Sequence, residues 1–178
     1  MSHWSPGDRR ADTDSMLRVD QAGEFGATRI YAGQLAVLRR NCPEAKLIAR
    51  MAAQEQRHLD RFNALMAGRR VRPTALQPLW NVAGFALGAA TALMSERAAL
   101  ACTDAVETEI DRHYTSQLTE LGEDDPDFAA DIEEFRADEL EHRDSAREAG
   151  ATNAFGYPLL TAAIRAGCKV AIELSKRV

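Results

Sequence analysis

Aromatic residues make up only 6% of this chain, and runs that alternate apolar and polar residues are rare. With Ala and Leu abundant, that scarcity argues against a β-rich core and for an all-α protein. Cysteine is equally sparse. Cys42, Cys102 and Cys168 are an odd set without CxxC or Cys/His spacing, which argues against a disulfide framework or a thiolate zinc site and favours a reducing compartment. Positive charge is not in excess: 22 Lys and Arg are scattered among 27 Asp and Glu, for a net charge of −5, so no nucleic-acid partner is expected. No dinucleotide-binding glycine fingerprint occurs. The opening stretch "MSHWSPGDRRADTDSM" lacks an apolar segment and carries acids, so it reads as neither a secretory signal nor a transit peptide. Residues 1–12 are expected to be flexible.

What is present is a globular composition, 46% hydrophobic and 28% charged over 178 residues, enough for one domain, 1–178, with a substantial core. Breakers divide it into helices. The first is expected from about Thr13 to Arg40. The second follows "NCPE", with Asn41 as its cap and Glu44 completing a capping box, and ends near Ala67 before Gly68. An uncharged segment spans 73–95, then helices cover about Glu96–Leu121 and Asp127–Ala149, and a last helix reaches the C-terminus. Short connections between these pieces predict an antiparallel bundle.

The apolar stripes carry the chemistry. In the helix holding "ELEH", the inward positions are Phe128, Ile132, Phe135, Glu139, His142 and Ala146, a heptad seam that passes through the Glu and the His. The helix holding "EQRH" repeats this with Ile48, Met51, Glu55, His58, Phe62 and Leu65. The first helix places Leu17, Glu24, Tyr31 and Leu38 at intervals of seven, and the fourth places Leu100, Thr103, Glu107, Ile110 and Tyr114 on one face. Glu24 precedes Glu55 by 31 residues and Glu107 precedes Glu139 by 32. The chain therefore consists of two similar halves, each a lone seam Glu followed by a Glu-x-x-His helix.

Four carboxylates in an apolar bundle must be protonated, paired or metal-bound, and no matching set of Lys or Arg lies on these seams. Two divalent cations would balance them, with both histidines neutral. An i, i+3 spacing puts Glu and His on one face, so both reach one ion. Oxygen and imidazole donors without thiolate suit iron or manganese. Ferritin-like di-iron and di-manganese bundles use this ligand pattern. The expected metal ligands are Glu24, Glu55, His58, Glu107, Glu139 and His142. Asp20, Asp104 and Asp111 lie a turn from the lone glutamates and are candidates to orient a ligand histidine.

The blocks "RVDQAGEFGATRIYAGQ" (18–34), "EQRHLDRF" (55–62), "PLWNVAGFALGA" (78–89), "ACTDAVETEIDRHY" (101–114), "FRADELEHRD" (135–144) and "AGCKVAIELSKRV" (166–178) resemble the demethoxyubiquinone hydroxylase family of ubiquinone biosynthesis. The resemblance covers nearly the whole chain after residue 15. It implies a ferritin-like four-helix core with two additional helical segments. It also implies a monooxygenase that uses two iron ions and dioxygen to hydroxylate the ring of a demethoxy polyprenyl quinone. In that family Glu55 and Glu139, with their histidines, each serve one iron, and Glu24 and Glu107 complete and bridge the pair. Electrons come from NADH through the bound quinone, with roles in electron and proton transfer for the positions of His113 and Tyr114. Seam geometry supports Tyr114, whereas His113 is rotated about 100° from the Glu107 face and reads equally as a boundary residue.

"LWNVAGFALGAATALM" (79–94) carries no charge and is too short and Gly-rich to be read as a span, for which ~20 apolar residues are expected. It reads as a buried core helix or as an interfacial helix facing lipid. In the last helix, Arg165, Lys169 and Lys176 share one face, opposite Leu160, Ala163, Gly167, Val170 and Leu174. That pattern suits anionic lipid, a protein partner or ordinary packing. The resemblance implies a peripheral protein on the cytoplasmic face of a bacterial inner membrane, or the matrix face of the mitochondrial one. It also implies a lipid-binding partner, and a homo-oligomer is compatible with it. The alternatives are a ferritin-like peroxidase or catalase, and a non-enzymatic membrane-associated assembly partner.

Overall fold

The computed structural model describes residues 11–177. Six helices follow one another: α1 (Thr13–Val37), α2 (Pro43–Arg69), α3 (Gln77–Met94), α4 (Glu96–Leu121), α5 (Pro126–Glu148) and α6 (Tyr157–Ser175), with a 3-10 turn at Ala151–Asn153 before the last. Positions 1–10 of the segment expected to be flexible lie outside the described residues. Ala11 and Asp12 are anchored: the Ala11 N–H donates to Asp124 at 2.9 Å, and the Asp12 carboxylate caps α1 through the Ser15 N–H at 3.1 Å.

Two expected boundaries are corrected. Asn41 does not cap α2. Cys42 does, its Sγ accepting from the Ala45 N–H at 3.3 Å, because the fixed φ of Pro43 suits the first helical position and places the cap just before it. Nor does Gly68 end the helix. The left-handed terminal residue is Arg70, at φ 59°, and the Val71 N–H reaches back to the Met66 carbonyl at 3.0 Å. Val71 and Met66 pack in one apolar cluster, so hydrophobic docking of the exit residue decides where the helix stops.

The half-repeat is physical. α1 packs on α2 and α3, and α4 packs on α5 and α6. Each half is thus a lone-Glu helix flanked by a Glu-x-x-His helix and an apolar one, and α1, α2, α4 and α5 make the ferritin-like four-helix core. Every expected seam residue of α5 is buried, while Glu141 is exposed. On α2 the last buried seam position is Met66 in place of Leu65, which is half-buried.

Among the described residues, two of the three buried apolar clusters flank the ligand layer. One contains Tyr31, Ile48, Met51, Leu100 and Ala146, and the other Leu17, Phe62, Tyr114, Phe128 and Phe135. Along α2 and α5 the Glu-x-x-His motifs fall between them, so the carboxylate layer is sealed above and below.

The uncharged segment is half buried, half exposed. α3 turns Gly84, Gly88, Thr91 and Ala92 inward and leaves Leu79, Val82, Leu93 and Met94 exposed. Glycine is required where α1 and α3 touch: a Cβ on Gly88 would collide with the Ile30 carbonyl, and one on Gly33 with that of Phe85.

Candidate metal centre

All six expected ligands are brought together at the centre of the bundle. Glu24 comes from α1, Glu55 and His58 from α2, Glu107 from α4, and Glu139 and His142 from α5. Each is at most 2% exposed. Their donor atoms form two overlapping quartets, Glu24/Glu55/His58/Glu139 and Glu55/Glu107/Glu139/His142, with donors within 4.8 Å of one another in each. Glu55 and Glu139 belong to both quartets, whereas Glu24 and Glu107 belong to one each. The carboxylates common to both quartets are those of the motifs, whereas the resemblance implies the lone glutamates as the bridge. The reason is register: α2 and α5 carry their glutamates to the midline between the two histidines.

Both histidines point Nδ1 inward. His58 Nδ1 lies 3.2 Å from Glu139 and 3.7 Å from Glu24, and His142 Nδ1 lies 3.1 Å from Glu55 and 3.2 Å from Glu139. Their outer nitrogens are held across the bundle. His58 Nε2 meets Asp138 at 3.0 Å and His142 Nε2 meets the Gln54 side-chain oxygen at 3.1 Å. Asp138 and Gln54 each precede the motif glutamate of the opposite helix, a signal present in "QEQRH" and "DELEH".

The acids proposed for this role serve others. Asp20 takes His113 at 2.9 Å and Gln117 at 2.7 Å, Asp104 takes Arg147 and Tyr157, and Asp111 takes Arg136 at 2.7 Å. A displacement of one helical turn, 5.4 Å along the axis, moves them out of the ligand layer.

A second reciprocal pair was half visible in the sequence. The Tyr114 hydroxyl of α4 donates to Glu24 of α1, and the Tyr31 hydroxyl of α1 donates to Glu107 of α4 at 2.6 Å. Each tyrosine lies seven residues after one lone glutamate and clamps the other. Tyr114 thus touches the ligand layer, while His113 is turned to Asp20 and lies outside both quartets.

The electrostatics are those of a site awaiting positive charge. Burial, reinforced by the neighbouring carboxylates, pushes Glu55 and Glu107 well above the usual carboxylate range, and burial raises Glu139 as well. Burial also acts upward on Glu24, but hydrogen bonds from His58, Glu55 and Tyr114 hold it below the ordinary value. Burial would lower His58; bonds to Glu139 and Glu24 overcome it and raise the imidazole to about 10. His142 is lowered, chiefly by burial. Glu55, Glu107 and Glu139 each keep a buried carboxylate oxygen without a hydrogen-bond partner, and His58 Nδ1 and the second Glu24 oxygen have only each other and neighbouring carboxylates, without well-aligned hydrogen-bond geometry. Orphaned inward donors of hard oxygen and imidazole type fit two divalent ions of the iron or manganese kind.

Beside this layer, α1, α3, α4 and α6 line an apolar cavity of about 590 Å³ that opens to the surface. Ala27, Ile30 and Val106 line it and also line a small void bounded by Tyr31, Thr103 and Glu107. The cavity therefore approaches the ligand layer from the Glu107 side. Trp80 of α3 and Ser175 of α6 line it too and are joined by a 3.1 Å hydrogen bond. Sequence reasoning missed this space because it is lined by four helices distant in the chain.

The model of the family described as ubiquinone biosynthesis protein COQ7 matches residues 11–175. A Rhodospirillum rubrum protein named 3-demethoxyubiquinol 3-hydroxylase is 55% identical over 165 residues, covering 93% of this chain and 78% of its own length. The human NADPH-dependent 3-demethoxyubiquinone 3-hydroxylase, mitochondrial, is 51% identical over 173 residues, 95% of this chain and 79% of the relative. The Saccharomyces cerevisiae 5-demethoxyubiquinone hydroxylase, mitochondrial, is 42% identical over 181 residues, 93% and 78% respectively. With the bundle, the paired quartets and these matches together, the chain belongs to the COQ7 family of ubiquinone biosynthesis proteins.

Proposed function

We propose that this chain is a di-iron monooxygenase that hydroxylates the ring of a demethoxyubiquinone-type substrate, using dioxygen and a reduced nicotinamide. The observation that carries the reading is the juxtaposition of two overlapping Glu/His quartets with an apolar cavity. The expected reductant was NADH. Several relatives carry NADPH in their names, and one refers to the quinol in place of the quinone, so the proposal is kept at a reduced nicotinamide and either redox form of the ring. A hydroxylase is favoured over a ferritin-like peroxidase, a catalase or a non-enzymatic assembly partner by the activity these relatives are named for.

Glu24 and His58 would hold one metal, Glu107 and His142 the other, and Glu55 and Glu139 would be shared. When bound, the two irons supply the redox chemistry that activates dioxygen. The protein's residues do the rest. Ala27, Ile30 and Val106 guide an apolar molecule toward the Glu107 side while excluding water. Tyr31 and Tyr114 hold the outer carboxylates in one orientation and can pass a proton to them. Tyr114 is the nearer candidate for electron or proton transfer, and His113 reaches the centre only through its contact with Asp20.

Among the described residues no helix is long and apolar enough to cross a membrane. α3 and α6 flank the cavity and leave Leu79, Val82, Leu159 and Val170 exposed. These exposed side chains support a peripheral position on a lipid surface, with the exposed side of residues 73–95 toward a bilayer that holds the polyprenyl substrate. The basic face of α6 contributes less than its sequence suggested, because Arg165 is engaged with Glu109 at 2.6 Å and Lys169 with it at 3.9 Å.

The test is a liposome assay with demethoxyubiquinone, reduced nicotinamide and oxygen, read by mass analysis of the ring. Hydroxylated product is expected from the wild type, and its loss from Glu139→Ala and His142→Ala with helical content retained. Full turnover by either variant would refute the ligand set.

A further inference from the structure

We propose that Thr103 of α4 receives a ring oxygen of the quinone-type substrate at the inner end of the apolar cavity. Thr103 would act within the hydroxylase function proposed above, on which this assignment rests, and it has no part in the metal set.

Thr103 carries a buried hydroxyl without a partner. It is 1% exposed, and its Oγ1 makes no hydrogen bond among the described residues. Other helical threonines avoid that state by donating to the carbonyl four residues back, as Thr91, Thr108, Thr115, Thr119 and Thr161 do. Thr103 lacks this outlet. The corresponding carbonyl, that of Ala99, already accepts the Gln34 side-chain amide at 2.9 Å, and the α-helical bond uses its second lone pair. Gln34 is itself fully buried, so the α1–α4 interface fixes this arrangement and leaves the threonine hydroxyl free. The Gln34 side-chain oxygen is also without a partner, but Gln34 does not line the void described next.

Location gives the hydroxyl a use. Thr103 lines the small void that touches Tyr31 and Glu107 and shares Ala27, Ile30 and Val106 with the large cavity. That void has no room for a water molecule, so solvent does not serve Thr103 there. The other oxygen and nitrogen groups along the path are committed: Trp80 to Ser175, Glu109 to Arg112 and Arg165, and Tyr31 to Glu107. Apart from the ligand Glu107, Thr103 holds the free oxygen on this path among the described residues. The half-repeat sharpens the contrast. Asp20 stands four residues before Glu24 as Thr103 does before Glu107, yet Asp20 is engaged by His113 and Gln117. The polar group is thus left free on the side where the cavity arrives.

Ile30 and Val106 stand between cavity and void and would turn aside as the edge of a flat ring enters. A hydroxyl can donate to a quinone carbonyl or accept from a quinol hydroxyl, so it can hold either redox form. Four helical residues span about 6 Å, which sets the held oxygen beside Glu107 and leaves the tail in the apolar cavity.

The experiment measures binding of a demethoxyubiquinone with one isoprenoid unit to the detergent-solubilised full chain without oxygen. Calorimetry gives the affinity and infrared spectroscopy reads the ring carbonyls. A prenylated toluene with the same tail, which lacks the ring oxygens, is the control ligand. Thr103→Val keeps the side-chain shape. It should weaken quinone binding by about 3- to 10-fold, the contribution of one hydrogen bond, and leave the control ligand unchanged. The carbonyl stretch, lowered in the wild-type complex, should return toward its value in hydrocarbon solvent, and Thr103→Ser should restore both properties. The free Thr103→Val protein should melt no lower than the wild type, because a methyl group replaces an unpartnered hydroxyl. Quinone affinity and carbonyl stretch unaltered in Thr103→Val overturn the inference and leave the hydroxylase function in place. Equal weakening of both ligands, or a lower melting temperature, does the same by making the hydroxyl a structural group. A wild type that binds no quinone overturns both.

Discussion

Filling the centre with metal should release protons, and the direction can be worked from the structure. Without metal, burial and the neighbouring carboxylates push Glu55 and Glu107 well above the usual range, and His58, raised to about 10, holds a second ring proton at neutral pH. Metal ligands must be deprotonated. Two ions should therefore displace at least the His58 ring proton, and the raised Glu55, Glu107 and Glu139 act in the same direction. Each proton released makes the overall binding constant change tenfold per pH unit, about 1.4 kcal/mol, so the two-ion constant should rise by about tenfold or more per unit near neutrality. The assay is calorimetry of Fe(II) or Mn(II) binding in buffers of different ionisation enthalpy, where the slope of observed heat against buffer enthalpy counts protons. A slope below one proton per pair of ions would refute a doubly protonated His58 ring in the metal-free centre.

The same groups set the pH response of metal-free stability. Raised acids bind protons more tightly in the folded chain than in the unfolded one, so stability falls as pH rises above the ordinary carboxylate value. His58 adds to this, its contribution being complete below the ordinary histidine value and lost as pH rises through about 10. Glu24, lowered, acts oppositely and only at acid pH, where its contribution disappears as the carboxylate protonates. Metal-loaded protein should show the reverse trend through neutrality.

Three further outcomes are expected. Tyr31→Phe and Tyr114→Phe each leave a buried carboxylate without its hydroxyl partner, at a cost of about 1–3 kcal/mol in denaturant titration of the metal-loaded protein; a loss below ~0.5 kcal/mol would contradict the clamp. Gly88→Ala forces a methyl group into the Ile30 backbone and should cost about 1–3 kcal/mol, while Gly68→Ala, with open space around it, should be neutral or slightly stabilising. Val82→Glu and Leu159→Glu change side chains 66% and 78% exposed and should lower the liposome-bound fraction about tenfold, since each apolar side chain contributes ~1.5–3 kcal/mol when buried. Unchanged co-sedimentation would place the lipid contact elsewhere.

How much of this was legible beforehand divides by length scale. The seam of α5, and that of α2 up to Phe62, read correctly because burial follows the 3.6-residue period, and a Glu and a His three apart share a face whatever surrounds them. Boundaries failed where a local feature outweighed the breaker residue: Pro43 set the cap at Cys42, and docking of Val71 carried α2 past Gly68. Asp20, Asp104 and Asp111 were sought as acceptors on proximity along one helix. Their partners came from neighbouring helices in adjacent layers instead.

The sequence by itself determined the all-α class, the two-half organisation and the six inward donors, all consequences of periodicity within single helices. Tertiary structure alone decided which glutamates are shared, that each tyrosine clamps the other half's lone carboxylate, and that Asp138 and Gln54 back the histidines across the bundle. It also decided the cavity. These depend on the register and separation of helices distant in the chain. Packing of whole apolar faces sets that register, and no periodicity read along one helix contains it.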